Sequence, residues 1–564
     1  VYIYQDFFLK NINVSVYAAM EPKTTDNMQK HNKYANKYVP NAIYWGLGIE
    51  NEIYLEFREM YQFKKADFIK SCKRERYSVD YFSNYKKKDS DNALQFYVTL
   101  KDDYIPVPIL LNAHSFTRTD RFNNPTNLYT KLCEPNPKFT GETLIETLCK
   151  SENNYFQNTM GNEWLFDGDT IEFNTLNFYN ATLNNVLGEL SYNKITFIAE
   201  INKTFESLGI FKYGKLDIMS QNHPFATFMT NFSKITIFNN GTLHYNLTLP
   251  TQLNNKCKIT NYETFLQDHK KAIRIIQFME PFLISVYGTA DIFSNMPGFL
   301  DSHLFSKSSQ RCAVSRYIGI GTYDTDKMER GKIMTTPVDE LDYRWFHTFY
   351  QNIAYTKLNE IGLDINFNKH YNHGIEIRFL EHITDEKKLK ESFEFIILLM
   401  DCILDNTGNL ENPIYNKTWN DFVTNIMIHG NTYELNNKEK ELYELIFNIK
   451  LESLQTIDVY HEIYNKLLIR YNHITKDSDN LFLCKPIGNF SKLALQTQLR
   501  KIENISEPIE NISEPIENIS EPIENISEPI ENISEPIENI SINYIFNNLN
   551  IKKTKKKLGW CCCL

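Results

Sequence analysis

The residues best able to do chemistry in this chain are acids, a histidine and an arginine on alternate positions of four short segments with apolar backs. In Gly46-Leu-Gly-Ile-Glu50-Asn-Glu52-Ile, strand periodicity sets Glu50 and Glu52 on one face and Ile49 and Ile53 on the other. Two adjacent carboxylates repel unless a cation neutralises them, so the pair asks for a hard divalent ion. Asp167-Gly-Asp169-Thr-Ile-Glu172 adds further acids, and Gly241-Thr-Leu-His244-Tyr-Asn246 puts His244 and Asn246 together. In His373-Gly-Ile-Glu376-Ile-Arg378-Phe, Glu376 and Arg378 share a face that Ile375, Ile377 and Phe379 back. Each segment alone also fits a half-solvated strand, an ordinary acid–base pair or a structural histidine. Their joint occurrence, with glycine before three of the four, points to a sheet face that holds metal-bound phosphate.

Such a face needs its strands paired and their apolar backs covered by helices. Phe393 to Leu404 is the longest apolar run; Glu394 and Asp401 interrupt it, it is too short to span a bilayer, and it reads as a packed helix. From Lys438 to Tyr471, charges alternate with Leu, Ile, Tyr and Phe at helical spacing, which predicts helices over one side of the sheet.

Gly48-Ile-Glu50-Asn-Glu52, the acidic run ending at Glu172, Leu243-His244-Tyr-Asn246 and Ile375-Glu376-Ile-Arg378 resemble the signature strands of the glutamate–cysteine ligase and amidoligase branch of the glutamine synthetase-like superfamily. Met279 to Ser294 resembles the buried helix and loop of that family, and the match runs in family order over about residues 43 to 400. The resemblance implies an α+β fold with a curved antiparallel sheet flanked by helices. It also implies an ATP-dependent carbon–nitrogen ligase that phosphorylates a substrate carboxylate and lets an amine displace the phosphate. Carried over by motif, Glu50, Glu52, Glu172 and Glu376, with Asp167 or Asp169, would hold two or three Mg²⁺ ions. His244 and Asn246 would sit at nucleotide and metal, Arg378 would clamp the transferred phosphoryl group beside the catalytic Glu376, and Arg311 and Arg316 would take a substrate carboxylate. The implied substrates are glutamate and an amine, or a peptide or protein acceptor. A catalytically inactive, membrane-tethered binding protein of the same fold is the reading of another class. The distance from the first strand to Glu172 implies an insertion at about 59–160, opening on Lys64, Lys65, Lys70, Lys73, Arg74 and Arg76. Spacing in the acidic run is closer to amidoligases, which leaves the acceptor amine open.

Composition narrows the alternatives. With 564 residues, 42% of them hydrophobic, the chain can bury a large core, and a net charge of -10 gives no nucleic-acid footprint. No Gly-x-x-x-x-Gly-Lys-Ser/Thr loop occurs; Gly319-Ile-Gly321 lacks the third glycine of a dinucleotide fingerprint, and no Gly-x-Ser-x-Gly or His-Glu-x-x-His motif is present. Of ten cysteines, seven are scattered singly from Cys72 to Cys484, which excludes a disulfide framework or zinc ribbon and predicts a reducing, cytoplasmic setting.

The organisation expected is a lead segment (1–42), the ligase domain (43–400), a helical part (401–498), a linker (499–541) and a basic tail (542–564). In the linker the heptad Ile-Glu-Asn-Ile-Ser-Glu-Pro repeats five times from Ile502, and proline at every seventh position forbids a coiled coil. About forty such residues reach roughly 35 Å as a coil and up to about 120 Å as polyproline II. The tail joins Lys552, Lys553 and Lys555 to Lys557 with Cys561, Cys562, Cys563 and Leu564. Basic charge beside lipidatable cysteines is a two-signal membrane anchor, by prenylation at Cys561 or palmitoylation of the cluster. The tail is therefore expected to tether the protein to the cytoplasmic face of a membrane.

Overall fold

The computed structural model describes residues 41, 43–65, 67, 103–111, 129–131, 134–135, 148, 151–167, 170–210, 212–229, 231–256, 258–290, 307–309, 311, 322–330, 364–367, 374–405 and 410–475. The lead segment before 41, much of the 59–160 insertion, and the repeat linker and basic tail lie outside them.

Alternation in the signature segments produces strands whose two faces differ in chemistry. The chain order is β1 (Ile43–Ile53), β2 (Leu55–Lys64), β3 (Tyr104–Leu111), β4 (Tyr129–Lys131), β5 (Glu134–Pro135), α1 (Asn154–Thr159), β6 (Trp164–Asp167), β7 (Thr170–Asn174) and α2 (Leu183–Ser207). There follow β8 (Leu216–Ile218), β9 (His223–Phe228), β10 (Asn231–Asn239), β11 (Thr242–Gln252), α3 (Tyr262–Tyr287), β12 (Tyr323–Asp324), β13 (Glu329–Arg330), β14 (Ile365–Phe367) and β15 (Ile375–Glu381). Four helices complete the described chain: α4 (Glu386–Asp405), α5 (Lys417–His429), α6 (Asn437–Phe447) and α7 (Thr456–Thr475).

Six strands pair in the order β14-β15-β11-β1-β7-β6, all antiparallel, so β1 stands between β11 and β7. Ile49 and Ile53 of β1, Leu243, Tyr245 and Leu247 of β11, Ile377 of β15 and Phe173 of β7 are buried on one side of this sheet. Helices cover that side: α2 packs on β1 and β7, while α3 packs on β11 and β15, with α4 against α3 and α7 against α4. Phe197 of α2 meets Phe156, Trp164 and Phe173 edge-on at ring distances of 4.9–5.6 Å. Each such pair adds about 0.5–1.5 kcal/mol to simple burial.

The curved antiparallel sheet expected from the sequence is corrected here. Five further strands form a second sheet, β10-β9-β3-β2-β8, while β4 with β5 and β12 with β13 pair as two-stranded ribbons; among the described residues both larger sheets are open, with an edge strand at each end of the order. The second sheet is not even wholly antiparallel, because β3 runs parallel to β9. The cause is visible at Tyr54, where the ladder breaks between β1 and β2 and its backbone N–H turns to Met219 Sδ at 3.4 Å. One ribbon thus passes from the first sheet into the second, where β3 and the latter part of β2 fall within the stretch 59–160.

From Ala272 onward helix α3 is buried on nearly every side, as a helix enclosed by others is. Pro281 stands in its interior and has no N–H for the carbonyl four residues back, Gln277. That oxygen accepts instead from Trp419 Nε1 of α5 at 2.8 Å, and the next carbonyl, Phe278, accepts from Tyr443 Oη of α6 at 2.6 Å. Part of the C-terminal helical layer therefore docks by satisfying backbone groups exposed at a proline.

Candidate metal centre

Register decides which side chains meet. Glu50 lies opposite His244, Glu52 opposite Thr242, and Gly48 opposite Asn246 across β1 and β11. On its other side, β1 sets Glu52 directly opposite Glu172 of β7. Asn246 faces Glu376 of β15, which in turn faces Asn366 of β14. Directly opposed residues share a face, so Glu50, Glu52, Glu172, His244, Asn246 and Glu376 all stand on the side away from the helices. A register shift between Leu243 and Tyr245 places a bulge in the β11–β15 ladder, after which Glu381 lies opposite Thr242. Arg378 therefore falls between two acids of its own strand.

His244 is the hub. Its Nδ1 lies 3.4 Å from Glu50 Oε2 and 3.7 Å from Glu376 Oε1, and its Nε2 lies 3.7 Å from Glu52 Oε1 and 3.4 Å from Thr242 Oγ1. One ligand atom each from Glu50, His244 and Glu376 fall within 4.8 Å of one another, a spacing that can hold a metal ion. Burial pushes the His244 imidazole below its ordinary range, the Arg378 charge adds to that, and the surrounding carboxylates only partly oppose it. A neutral ring with its proton on Nε2 keeps a lone pair on Nδ1, between the two carboxylates. Burial alone would raise Glu52, but the His244 side, Arg378 and Arg311 together hold its carboxyl below the usual value.

Glu376 is 3% exposed at its side chain and is held from two sides. Asn366 Nδ2 donates to Oε2 at 2.7 Å, and Arg378 Nη1 approaches Oε1 at 3.2 Å. Oε1 is thus the oxygen turned toward His244, and it is the one that Glu376 would offer to an ion. The donor set of two carboxylates and an imidazole fits a divalent ion. It suits Mn²⁺ or Zn²⁺ as well as Mg²⁺, which prefers all-oxygen surroundings.

The other sequence-derived candidates separate. Asn246 is buried beside Glu376 in register, and Glu172 is buried beside Glu52; neither joins the three-residue cluster. Arg311 anchors backbone: its Nε donates to the Arg378 carbonyl at 2.6 Å, and its N–H donates to Glu381 Oε1 at 3.0 Å. Asp169, Arg316, Cys561, Cys562, Cys563 and the side chain of Asp167 lie outside the described residues. Sequence reasoning missed Asn366 and Glu381. The Ile365-Asn-Phe367 alternation carried a weak strand signal for the first, while the bulge, which shifts Glu381 into phase, leaves no mark in sequence.

Two glycines shape the rim. A Cβ on Gly46 would lie 2.1 Å from the Phe178 ring, and one on Gly48 would lie 3.0 Å from it. Their absence lets Phe178 lie across β1, where its carbonyl takes the Leu47 N–H at 2.9 Å.

Fold and centre together define an α+β protein with a buried carboxylate–imidazole cluster able to bind a metal ion. No protein-family model matches the chain. It is 38% identical over 418 residues to the uncharacterized protein R704 of Acanthamoeba polyphaga mimivirus, spanning 73% of this chain and 71% of that one. The chain belongs to the family of that viral protein.

Proposed function

We propose that the protein is an ATP- and divalent-metal-dependent carboxylate–amine ligase. The observation that carries this reading is the convergence of Glu50, His244 and Glu376 on one sheet face, with Arg378 on Glu376 and Glu52 beside them. In the reaction, an oxygen of the substrate carboxylate attacks the terminal phosphorus of ATP and ADP leaves. The amine nitrogen then attacks the acyl carbon, the C–N bond forms, the C–O bond to phosphate breaks, and phosphate departs as the nitrogen loses a proton.

An ion held by Glu50, His244 and Glu376 would supply a Lewis acid toward phosphate oxygens. The chain's own residues do the rest. Arg378, one-fifth exposed and fixed by Glu376, presents a guanidinium on the polar face, where charge develops on the transferred group. Asn366 fixes the orientation of Glu376, and Thr242 fixes that of His244 through its long Nε2 contact. Phe178 and the 175–180 segment cover the far end of the face and exclude water there.

The test is Mg²⁺- or Mn²⁺-dependent ADP release by the full chain, offered L-glutamate with a panel of amines that includes cysteine. Stimulation by one pair supports the reading and names the substrates. Absence of ADP release with every pair, in protein shown to bind the metal, overturns small-molecule ligation; a peptide acceptor or an inactive binding protein then stands in its place.

A further inference from the structure

A second cavity lies away from the metal centre, where the last turn of α3 meets the end of α5. It has a volume of about 320 Å³ and is lined by Ser285, Lys307, Ser308, His429, Asn431 and Thr432, with Gly288 and Gly430 in its walls. At roughly 30 Å³ per water it has room for about ten, or for a small organic ion. Among the described residues its lining has no acid; it has one lysine, one histidine, the Ala290 methyl, and otherwise hydroxyl, amide and backbone groups.

The walls are fixed. Lys307 N–H donates to the Met427 carbonyl at 3.0 Å, and Ser308 Oγ donates to the Ile426 carbonyl at 2.7 Å. Gly430 takes φ +70°, and a Cβ on Gly288 would lie 2.6 Å from the Ser308 carbonyl. Both glycines are therefore required for strap 307–309 to sit this close. The strap also consumes the carbonyls at the end of α5, and Gly288 N–H takes the Ile284 carbonyl of α3. That quenching matters, because open helix C-termini would repel an anion. Ser285 keeps a buried hydroxyl without a protein partner.

We propose that this cavity is a binding site for a small anion bearing a carboxylate or phosphate group, with Lys307 as its charge partner. Asn431 and the buried Ser285 hydroxyl are free to donate to it, whereas Thr432 Oγ1 already donates to the His429 carbonyl at 3.0 Å; His429, stacked on Tyr433 at 5.7 Å and 14°, walls one side. The occupant touches a strap with a second duty. One residue past Ser308, Ser309 Oγ donates to Glu381 Oε1 at 2.7 Å, on the strand that carries Glu376 and Arg378. The inference is independent of the ligase reading.

The experiment is thermal unfolding of the full chain in EDTA, titrated separately with sodium phosphate and sodium acetate against sodium chloride at equal ionic strength. The proposal expects a saturable rise in Tm in at least one arm, and the arm that responds tells phosphate from carboxylate. Lys307→Gln is expected to weaken the response about tenfold or more, as loss of a charge-assisted hydrogen bond does, and Ser285→Ala to weaken it less. Arg378→Gln is the control and is expected to keep it. No saturable rise above chloride in either arm, an unchanged response in Lys307→Gln, or loss of the response in Arg378→Gln would each overturn the proposal.

Discussion

At the scale of the residue, a buried carboxylate gains its role from what fixes its two oxygens. Glu376 gives Oε2 to Asn366 and turns Oε1 toward His244. Glu376→Gln keeps the shape and removes the charge. Mn²⁺ titration by calorimetry is expected to show loss of affinity of about a hundredfold or more, and Asn366→Leu a loss of about tenfold, in line with the cost of removing a partner that orients a ligand. The fold is expected to survive Glu376→Gln with an unchanged or higher Tm, since the variant relieves repulsion among buried acids. Equal Mn²⁺ affinity in wild type and Glu376→Gln would remove Glu376 from the centre.

His269 carries a different prediction. It is fully buried; Nδ1 donates to the Phe265 carbonyl at 2.7 Å, and Nε2 accepts from the Leu249 N–H at 3.0 Å. Burial lowers its pKa to about 4 against 6.5. The folded state thus refuses a proton that the unfolded chain binds, so its contribution is whole above pH 6.5 and is lost as pH falls toward 4. The slope approaches 1.4 kcal/mol per pH unit at most, about one proton's worth. Urea unfolding at pH 7 and at pH 5 should show this loss, and His269→Gln should show a shallower one; the same slope in both would assign it elsewhere.

At the scale of the element, the exchange at Pro281 is testable by a double-mutant cycle. Trp419→Phe leaves the Gln277 carbonyl buried without a donor, at a cost of about 1–3 kcal/mol beyond the lost ring volume. Pro281→Ala restores an N–H four residues on, so the penalty of Trp419→Phe should shrink in that background. Equal penalties in both backgrounds would mean that the indole matters only by its volume. Gly374 is the matching case in the sheet: it holds φ +65°, and a Cβ there would lie 2.4 Å from the Leu247 carbonyl, so Gly374→Ala should destabilise by more than the roughly 1 kcal/mol of the backbone angle alone.

Elements also show what the sequence could say. Period-two alternation made β1, β11 and β15 readable, and with them Glu50, His244 and Glu376, because one buried face fixes each register. The apolar run from Phe393 became α4 for the same reason at helical period. What stayed hidden was non-local. Nothing near Tyr54 announces that the ribbon changes sheets, and nothing in β3 announces a parallel partner more than a hundred residues later. The curved antiparallel sheet was what the family resemblance implied, and local alternation, which looks alike in either arrangement, held nothing to correct it.

At the scale of the whole molecule, the chain divides into two compact units, Val1–Lys501 and Ile502–Leu564. The metal cluster and the second cavity both belong to the first. The second begins where the proline-punctuated heptads begin and contains the lysine and cysteine clusters. No helix among the described residues is long and apolar enough to cross a membrane. We propose that the tail supplies a membrane anchor. A single acyl chain binds only marginally, whereas acylated cysteines beside five lysines combine apolar insertion with about 1 kcal/mol of attraction per basic residue near an anionic surface. In eukaryotic cells the tagged full chain is expected in the membrane fraction. Changing Cys561, Cys562 and Cys563 together to serine should move it to the soluble fraction while its Mn²⁺ affinity stays that of the wild type, because the ligands lie in the other unit. Membrane recovery that persists in the serine variant would deny the cysteines this role, and a simultaneous fall in Mn²⁺ affinity would show that the two units do not act apart.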